Sequence, residues 1–419
     1  MKINISVDAL SRVEGEGYLK LEISGRDVEV VRFGLYEPPR LFEGFLAGRH
    51  YGEAVDFVAR ICGICPVAHQ TSCSQAMEDA LGLELDGPLR NLRRLIYCGE
   101  WIESHALHVF MLHAPDFLGY PDALTMAQEH RQVVEMGLRI KKAGNSLVRL
   151  VGGREIHPMN FRVGGFYQAP EPERLRPLEV ELEWAVQACQ DALRWLARLP
   201  IPQYERRYLF VSLNQPGEYP IDRGKVVTSA GQNLEPGRFL DSFEEYQVPY
   251  STALHARHRS LGDYLVGPLA RFNLNFDELS PLAREAALGA GLRPPVNNPF
   301  QSILVRGVEL LYACQEALRL IRAYEKPRRP FLEAPNRAGR GYGVSEAPRG
   351  LLYHGYTLDG QGCIEKATII PPTSQNQATI EADVGGIARA NRKLGKKQLT
   401  RLCEQSIRNY DPCISCSTH

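Results

Sequence analysis

Four cysteines constrain this chain more than any other feature. Cys62 and Cys65 stand in "RICGICPVAH", and Cys413 and Cys416 in "DPCISCSTH", where the sequence stops at His419. Three-residue spacing lets both thiolates of a pair face one side of a helical turn. Two pairs from opposite ends of a chain can supply four thiolates to one buried centre, a strong metal signal. Thiolates suit zinc, iron–sulfur clusters and other soft or borderline metals. Chain ends are ordinarily frayed and polar, so ligands placed here point to a fold that buries its own end.

On spacing alone, a structural zinc site with four cysteine ligands is the favoured reading, because such sites are common. Two details weigh against it. Zinc ribbons and fingers draw both pairs from a compact stretch, whereas these pairs sit at opposite ends of the chain. A structural site also needs no attendant arginine, glutamate and histidine, yet both motifs carry them. A redox disulfide is weaker still, since no thioredoxin-like βαβ pattern surrounds either pair. Cys73, Cys98, Cys189, Cys314, Cys363 and Cys403 have no pairing in sequence and default to buried apolar packing.

Lys plus Arg and Asp plus Glu both number 49, for a formal net charge of zero. That balance argues against a nucleic-acid binder and leaves little charge repulsion to oppose a permanent partner subunit. No apolar run reaches the roughly eighteen residues of a membrane-spanning helix. The start, "MKINISVDALSRVEGEG", lacks the apolar core of a signal peptide. Reduced thiols in the cytoplasm are therefore expected, although a partner subunit could carry an export signal for both chains.

Residues 17 to 36 alternate apolar and polar on either side of Gly25-Arg26-Asp27 and read as a β-hairpin. From about Leu41 the pattern turns helical. Long helices are expected at 86–114, 124–150 and 174–198, with others at 279–290, 299–326 and 396–408. Residues 151–166 read as an ordered loop or small β-element. Residues 200–280 show no firm period. Residues 327–380 are rich in Pro and Gly, with short strand-like runs such as "CIEKATII". The fold expected is mainly α with small β-elements. It is one helical-bundle domain over 1–419: a β-hairpin region to residue 40, a mainly helical body over 41–326, and mixed loops and strands over 327–419. The metal site would be buried between the two cysteine motifs.

The residues that surround the cysteines add a resemblance. "RICGICPVAH" and "DPCISCSTH" resemble the two cysteine signatures of [NiFe]-hydrogenase large subunits, R-x-C-G-x-C-x3-H and D-P-C-x2-C-x2-H. The likeness extends through "SRVEGEG", "LFEGFLAGR", "GGREIHP", "EAPRG" and "PPTSQN", so it spans the chain. It implies a Ni–Fe centre held by Cys62, Cys65, Cys413 and Cys416. Cys65 and Cys416 would bridge to an iron that carries carbon monoxide and two cyanides. The reaction implied is H2 ⇌ 2H⁺ + 2e⁻ by heterolytic cleavage. Cys413 would be the terminal thiolate that takes the proton, and Glu14 the carboxylate that carries it away. His69 would hydrogen-bond a bridging sulfur, and Arg349 would stand over the open side of the metals with a charge it cannot lose. Glu43, His419 and the backbone carbonyl of Thr368 would hold a second metal, Mg or Fe, near the C-terminus.

Spacing alone would favour plainer roles: a solvated hairpin-edge charge for Glu14, a backbone-satisfied histidine for His69, a loop arginine for Arg349 and a solvated helix-face charge for Glu43. Two positions depart from the pattern of respiratory members. Ser104 stands where they have an aspartate that pairs with the arginine. Pro372 stands where they have a serine beside the cyanides, which leaves Thr373 or a backbone amide to serve them. With the missing histidine after "RVEGEG", these departures resemble the cytoplasmic, bidirectional, NAD(P)-linked or sulfhydrogenase-type branch. Too few clustered cysteines remain to build an electron wire. An Fe–S small subunit is therefore expected as partner, with further subunits that carry flavin and NAD(P) or connect to a deazaflavin or ferredoxin. Two rivals differ in cofactor: a quinone-binding relative in complex I, which lacks the four cysteines, and a zinc-stabilised scaffold. Large subunits of the family are trimmed after this histidine once nickel is in place, so an end at His419 resembles the mature form.

Overall fold

A computed structural model describes residues 2–25 and 27–419. Gly17–Ser24 pairs antiparallel with Asp27–Leu35, as the alternation requires, and Leu19, Leu21 and Ile23 are buried on one face. Arg26, in the turn, lies outside the described residues. A further strand, Lys2–Val7, pairs along the other edge of Gly17–Ser24. The loop between those two strands carries Glu14.

The helical body contains Pro66–Leu81, Gly87–Ala106, Ala123–Gly152, Pro172–Leu196 and Ser302–Arg322. Gly87–Ala106 packs on both Ala123–Gly152 and Ser302–Arg322, and Pro172–Leu196 packs on Ser302–Arg322. The helix expected at 86–114 is interrupted. Leu107–His113 is a π-helical turn, closed by an Ala114 N–H to Val109 carbonyl bond, before Ala114–Leu118 resumes the α-helix. Pro115 explains part of this, since it has no N–H to continue the ladder. The wide turn places the His108 and His113 rings 5.0 Å apart. Residues 151–166 form the expected small β-element, Phe161–Arg162 against Gly165–Phe166.

The segment 327–380 differs most from its sequence reading. Gly339–Ala347, Gly350–Leu358 and Ile364–Ile370 form an antiparallel meander, and Pro372 then opens a 19-residue helix to Ala390. The glycines that suggest a loop are alternate residues of one strand. Gly339, Gly341 and Gly343 lie against the backbone of Pro66–Leu81, where an added Cβ would collide with Ala80, Ala76 and Ser72. Their lack of side chains lets a strand lie directly on the cysteine helix. The last helix, Lys396–Arg408, falls where expected. One apolar core runs from Ile3 to Cys416, and a smaller one includes Val211, Phe239 and Tyr353. No helix among the described residues is long and apolar enough to cross a membrane.

Candidate metal centre

Cys65 is the N-cap of Pro66–Leu81, with Pro66 in the first helical turn, but its thiol makes no cap bond. Another side chain must therefore satisfy the open amides. Glu100, on Gly87–Ala106, accepts the N–H groups of Val67 at 2.6 Å and Ala68 at 3.0 Å. This frees both thiols: Cys62 Sγ accepts from the amides of Ile64 at 3.2 Å and Cys65 at 3.4 Å.

The C-terminal pair is tied in from three sides. The Cys413 N–H donates to Thr373 Oγ1 at 2.9 Å, and the Ile414 N–H to the Glu14 carbonyl at 3.0 Å. Arg40 donates to the Ile61 carbonyl at 2.6 Å and also to the Ser415 carbonyl, which joins the two cysteine segments. As a result the ligand atoms of Cys62, Cys65, Cys413 and Cys416 all lie within 4.8 Å of one another, and all four residues are buried. Cys62 and Cys413 sulfurs are 3.4 Å apart, and Cys65 and Cys416 sulfurs 3.3 Å.

Contact with the Cys413 thiol holds Cys62 well below the usual thiol range, while burial pushes Cys413 well above it and Cys416 up to about 11. Four thiolates cannot share a dry pocket without a cation to offset them. Loading such a site with metal therefore releases protons. The donor set fits a soft or borderline metal.

Arg349 occupies the turn between Gly339–Ala347 and Gly350–Leu358 and is buried, not a surface residue. Ser104 does not pair with it; the Ser104 hydroxyl is buried with no partner among the described residues. Asp411 takes that part. Its carbonyl accepts Arg349 Nε at 2.7 Å and its carboxylate accepts Nη2 at 3.2 Å. Arg349 Nη1 remains buried without a partner among the described residues. Burial opposes the charge of Arg349, but Asp411 and the thiols of Cys413, Cys65 and Cys62 keep it charged. The turn is clamped from behind by Arg271, which donates to the carbonyls of Ala347 at 2.9 Å and Pro348 at 3.0 Å and pairs with Glu309 and Glu346.

Glu14 is half-buried, and its carboxylate faces inward. It accepts the Ser415 N–H at 3.0 Å and the Ser415 hydroxyl, between the last two cysteines. The Thr373 oxygen accepts the Cys413 amide, which leaves its hydroxyl proton free to serve another group. His69 lies one turn into Pro66–Leu81, and burial lowers it to about 3, which leaves it neutral.

At the second cluster, His419 Nδ1 donates to the Cys416 carbonyl at 2.7 Å, and its Nε2 lies 3.9 Å from Glu43 Oε1. Glu43 accepts the Ile369 N–H at 2.6 Å. Thr368 is registered with Gly355 on the neighbouring strand, so the Glu43 carboxylate meets this strand at the peptide that joins Thr368 to Ile369. Glu245, half-buried, is raised to about 7 by burial, with the His419 charge lowering it and the Glu43 charge raising it.

Asp411, Glu100, Arg40 and Arg271 were not identified from the sequence. Asp411 had a signal, an acid two residues before the first cysteine of "DPCISC". The other three act across long sequence separations and carry none.

Comparisons with known proteins follow the same geometry. A family model described as nickel-dependent hydrogenase matches residues 40–136. The chain is 32% identical to Sulfhydrogenase 1 subunit alpha of Pyrococcus furiosus, over 99% of this chain and 97% of that protein. It is 28% identical to the beta subunit of the NAD-reducing hydrogenase HoxS of Cupriavidus necator, over 100% of this chain and 95% of that one. Among solved structures, it matches an NAD+-reducing [NiFe]-hydrogenase in the H2-reduced state with a TM-score of 0.90 at 27% identity, covering 100% of this chain and 99% of that chain.

Proposed function

This chain belongs to the nickel-dependent hydrogenase family as a catalytic large subunit that acts on H2, and from that premise we propose that Cys62, Cys65, Cys413 and Cys416 hold its Ni–Fe centre. The observation that carries this reading is four buried sulfurs, from both ends of the chain, within 4.8 Å of one another. When bound, the centre supplies the Lewis acidity and electron storage for H2 ⇌ 2H⁺ + 2e⁻, with carbon monoxide and two cyanides completing the iron. Cys65 and Cys416 would be the two thiolates shared with the iron.

The chain's own residues supply proton handling and electrostatics. Cys413 would be the base that takes up a proton, and Glu14 the carboxylate that carries it away. The backbone bridge between Glu14 and Cys413, which sets the two residues side by side, supports that reading. Arg349 presents its unpaired Nη1 to the open side of the site, with Asp411 in place of the aspartate lost at Ser104. Thr373 positions Cys413 through the amide and directs its hydroxyl to a cyanide. His69 donates to a bridging sulfur. Glu43, His419 and the backbone carbonyl of Thr368 would hold Mg or Fe.

Electrons leave through an Fe–S small subunit. Gly63, between the two upstream cysteines, is exposed, with Ile156 above it, and Ile156 and Met159 are themselves 58% and 55% exposed. This apolar face beside the cysteine loop is the docking surface for that subunit. The subunit designations of the relatives support further partner subunits; subunits with flavin and NAD(P), or a deazaflavin or ferredoxin route, in the cytoplasm complete the reading. The continuous core from Ile3 to Cys416 supports treating residues 1–419 as one domain.

Metal analysis of the purified complex tests the proposal. Nickel and iron near one each, with infrared bands of the diatomic ligands, are expected. Cys65→Ser and Cys416→Ser should each lose the centre and H2 turnover together. Stoichiometric zinc without those bands, or normal turnover in either variant, would sink it.

A further inference from the structure

Behind the cysteines lies a buried polar chain that joins His69 to three residues with no role assigned so far. Pro66–Leu81 places His69 and Cys73 on one helical face at i and i+4. The neighbouring strand Gly350–Leu358 places His354 and Tyr356 on one sheet face at i and i+2. The two pairs meet. His69 Nδ1 lies 3.2 Å from His354 Nε2, and His354 Nδ1 lies 2.8 Å from the Tyr356 hydroxyl. Cys73 lies near the Tyr356 hydroxyl, beyond the far end of this chain. All four side chains are buried.

A chain of single donors and acceptors has two possible directions. In one, Tyr356 donates to His354 Nδ1, His354 Nε2–H donates to His69 Nδ1, and His69 carries its proton on Nε2. In the other every bond is reversed, Tyr356 donates to the Cys73 sulfur, and His69 Nε2 is a bare lone pair. The first direction uses O–H···N and N–H···N bonds and accepts the weak S–H donor of Cys73 at its end. The second spends the phenol on a weak sulfur acceptor. It also turns a lone pair toward a site of thiolates. With Nδ1 occupied by His354, Nε2 is the ring nitrogen left to face that site.

We infer that His354 and Tyr356 are positioning residues that lock His69 as its Nε2–H tautomer, so that it is a permanent hydrogen-bond donor to a sulfur of the metal centre. This deepens the reading of the four cysteines as that centre and rests on it. His69 and His354 are both buried, which disfavours a charged ring on either. A neutral donor of fixed direction lowers electron density on the sulfur without placing a charge beside the metals.

Neutron diffraction of the deuterium-exchanged complex reads the direction itself. Deuterium is expected on Nε2 of both His69 and His354, with the Tyr356 deuteron aimed at His354 Nδ1. Deuterium on His69 Nδ1 would overturn the inference. Tyr356→Phe removes the direction-setting donor. In the metal-loaded variant the nickel midpoint potential should shift to more negative values, because the sulfur keeps more charge; an unchanged potential would also overturn it. A centre found to contain zinc would refute the hydrogenase reading, while the neutron positions would still judge the tautomer.

Discussion

At the scale of single residues, the site works by giving each side chain a partner that frees another. Glu100 takes the helix amides that Cys65 would otherwise cap, and Asp411 takes the guanidinium that Ser104 cannot. Glu14 shows how far burial changes a residue's meaning. Its sequence neighbourhood reads as a solvated edge, yet its carboxylate is bound to the amide and hydroxyl of Ser415. Glu14→Gln keeps the shape and hydrogen-bonding capacity but not the proton affinity. Its metal content should equal that of the wild type, while H/D exchange between H2 and solvent slows on the order of 10²-fold or more, the usual size of a general acid–base contribution. Exchange at the wild-type rate would remove Glu14 from the proton route. The four cysteines and the placing of Glu14 near them were legible from motif chemistry and resemblance. Asp411 as the partner of Arg349 was not, because pairing across a turn depends on where the turn is set down.

At the scale of elements, the cysteine helix is positioned mainly by a strand with one bare face. Apolar period identified the long helices because their stripes repeat every turn. The π-helical turn at Leu107–His113 escaped, since its residues keep a helical composition. The meander of 339–370 escaped for a different reason: glycine weakens strand patterning in isolation, and its value here comes only from contact with Pro66–Leu81. Gly343→Ala tests that contact. An added Cβ would stand 2.8 Å from the Ala76 amide and closer still to Ser72. Strand and helix must separate, at a cost of about 1–3 kcal/mol. Denaturant unfolding should show that loss together with lower nickel content, whereas Gly360→Ala, with open space around it, should match the wild type. Equal stability of Gly343→Ala and wild type would mean the strand has room to move.

At the scale of the whole molecule, the metal centre is the clasp between the two ends of the chain. Cys62 and Cys413 are 351 positions apart, and a link across so long a loop removes much of the unfolded chain's freedom, upward of about 4 kcal/mol in the chain-entropy view. Stripping the metals should lower the thermal midpoint. Hydrogen exchange should rise first in residues 8–16 and 409–419, which depend on the clasp, and last in Pro172–Leu196, which packs on Ser302–Arg322 and Ala123–Gly152. Unchanged protection of the last eleven residues after metal removal would show that Arg40, Thr373 and Glu14 suffice to hold the end. The sequence by itself determined the ligand set, the helical body and the hairpin, because thiol spacing and apolar period are local properties that survive without a fold. The tertiary structure alone decided which carboxylate faces Arg349, that His69 joins a chain through His354 and Tyr356, and that Glu43 accepts the Ile369 amide. Those choices depend on hydrogen-bond direction and on which face of an element meets its neighbour, and neither exists until distant segments are packed together.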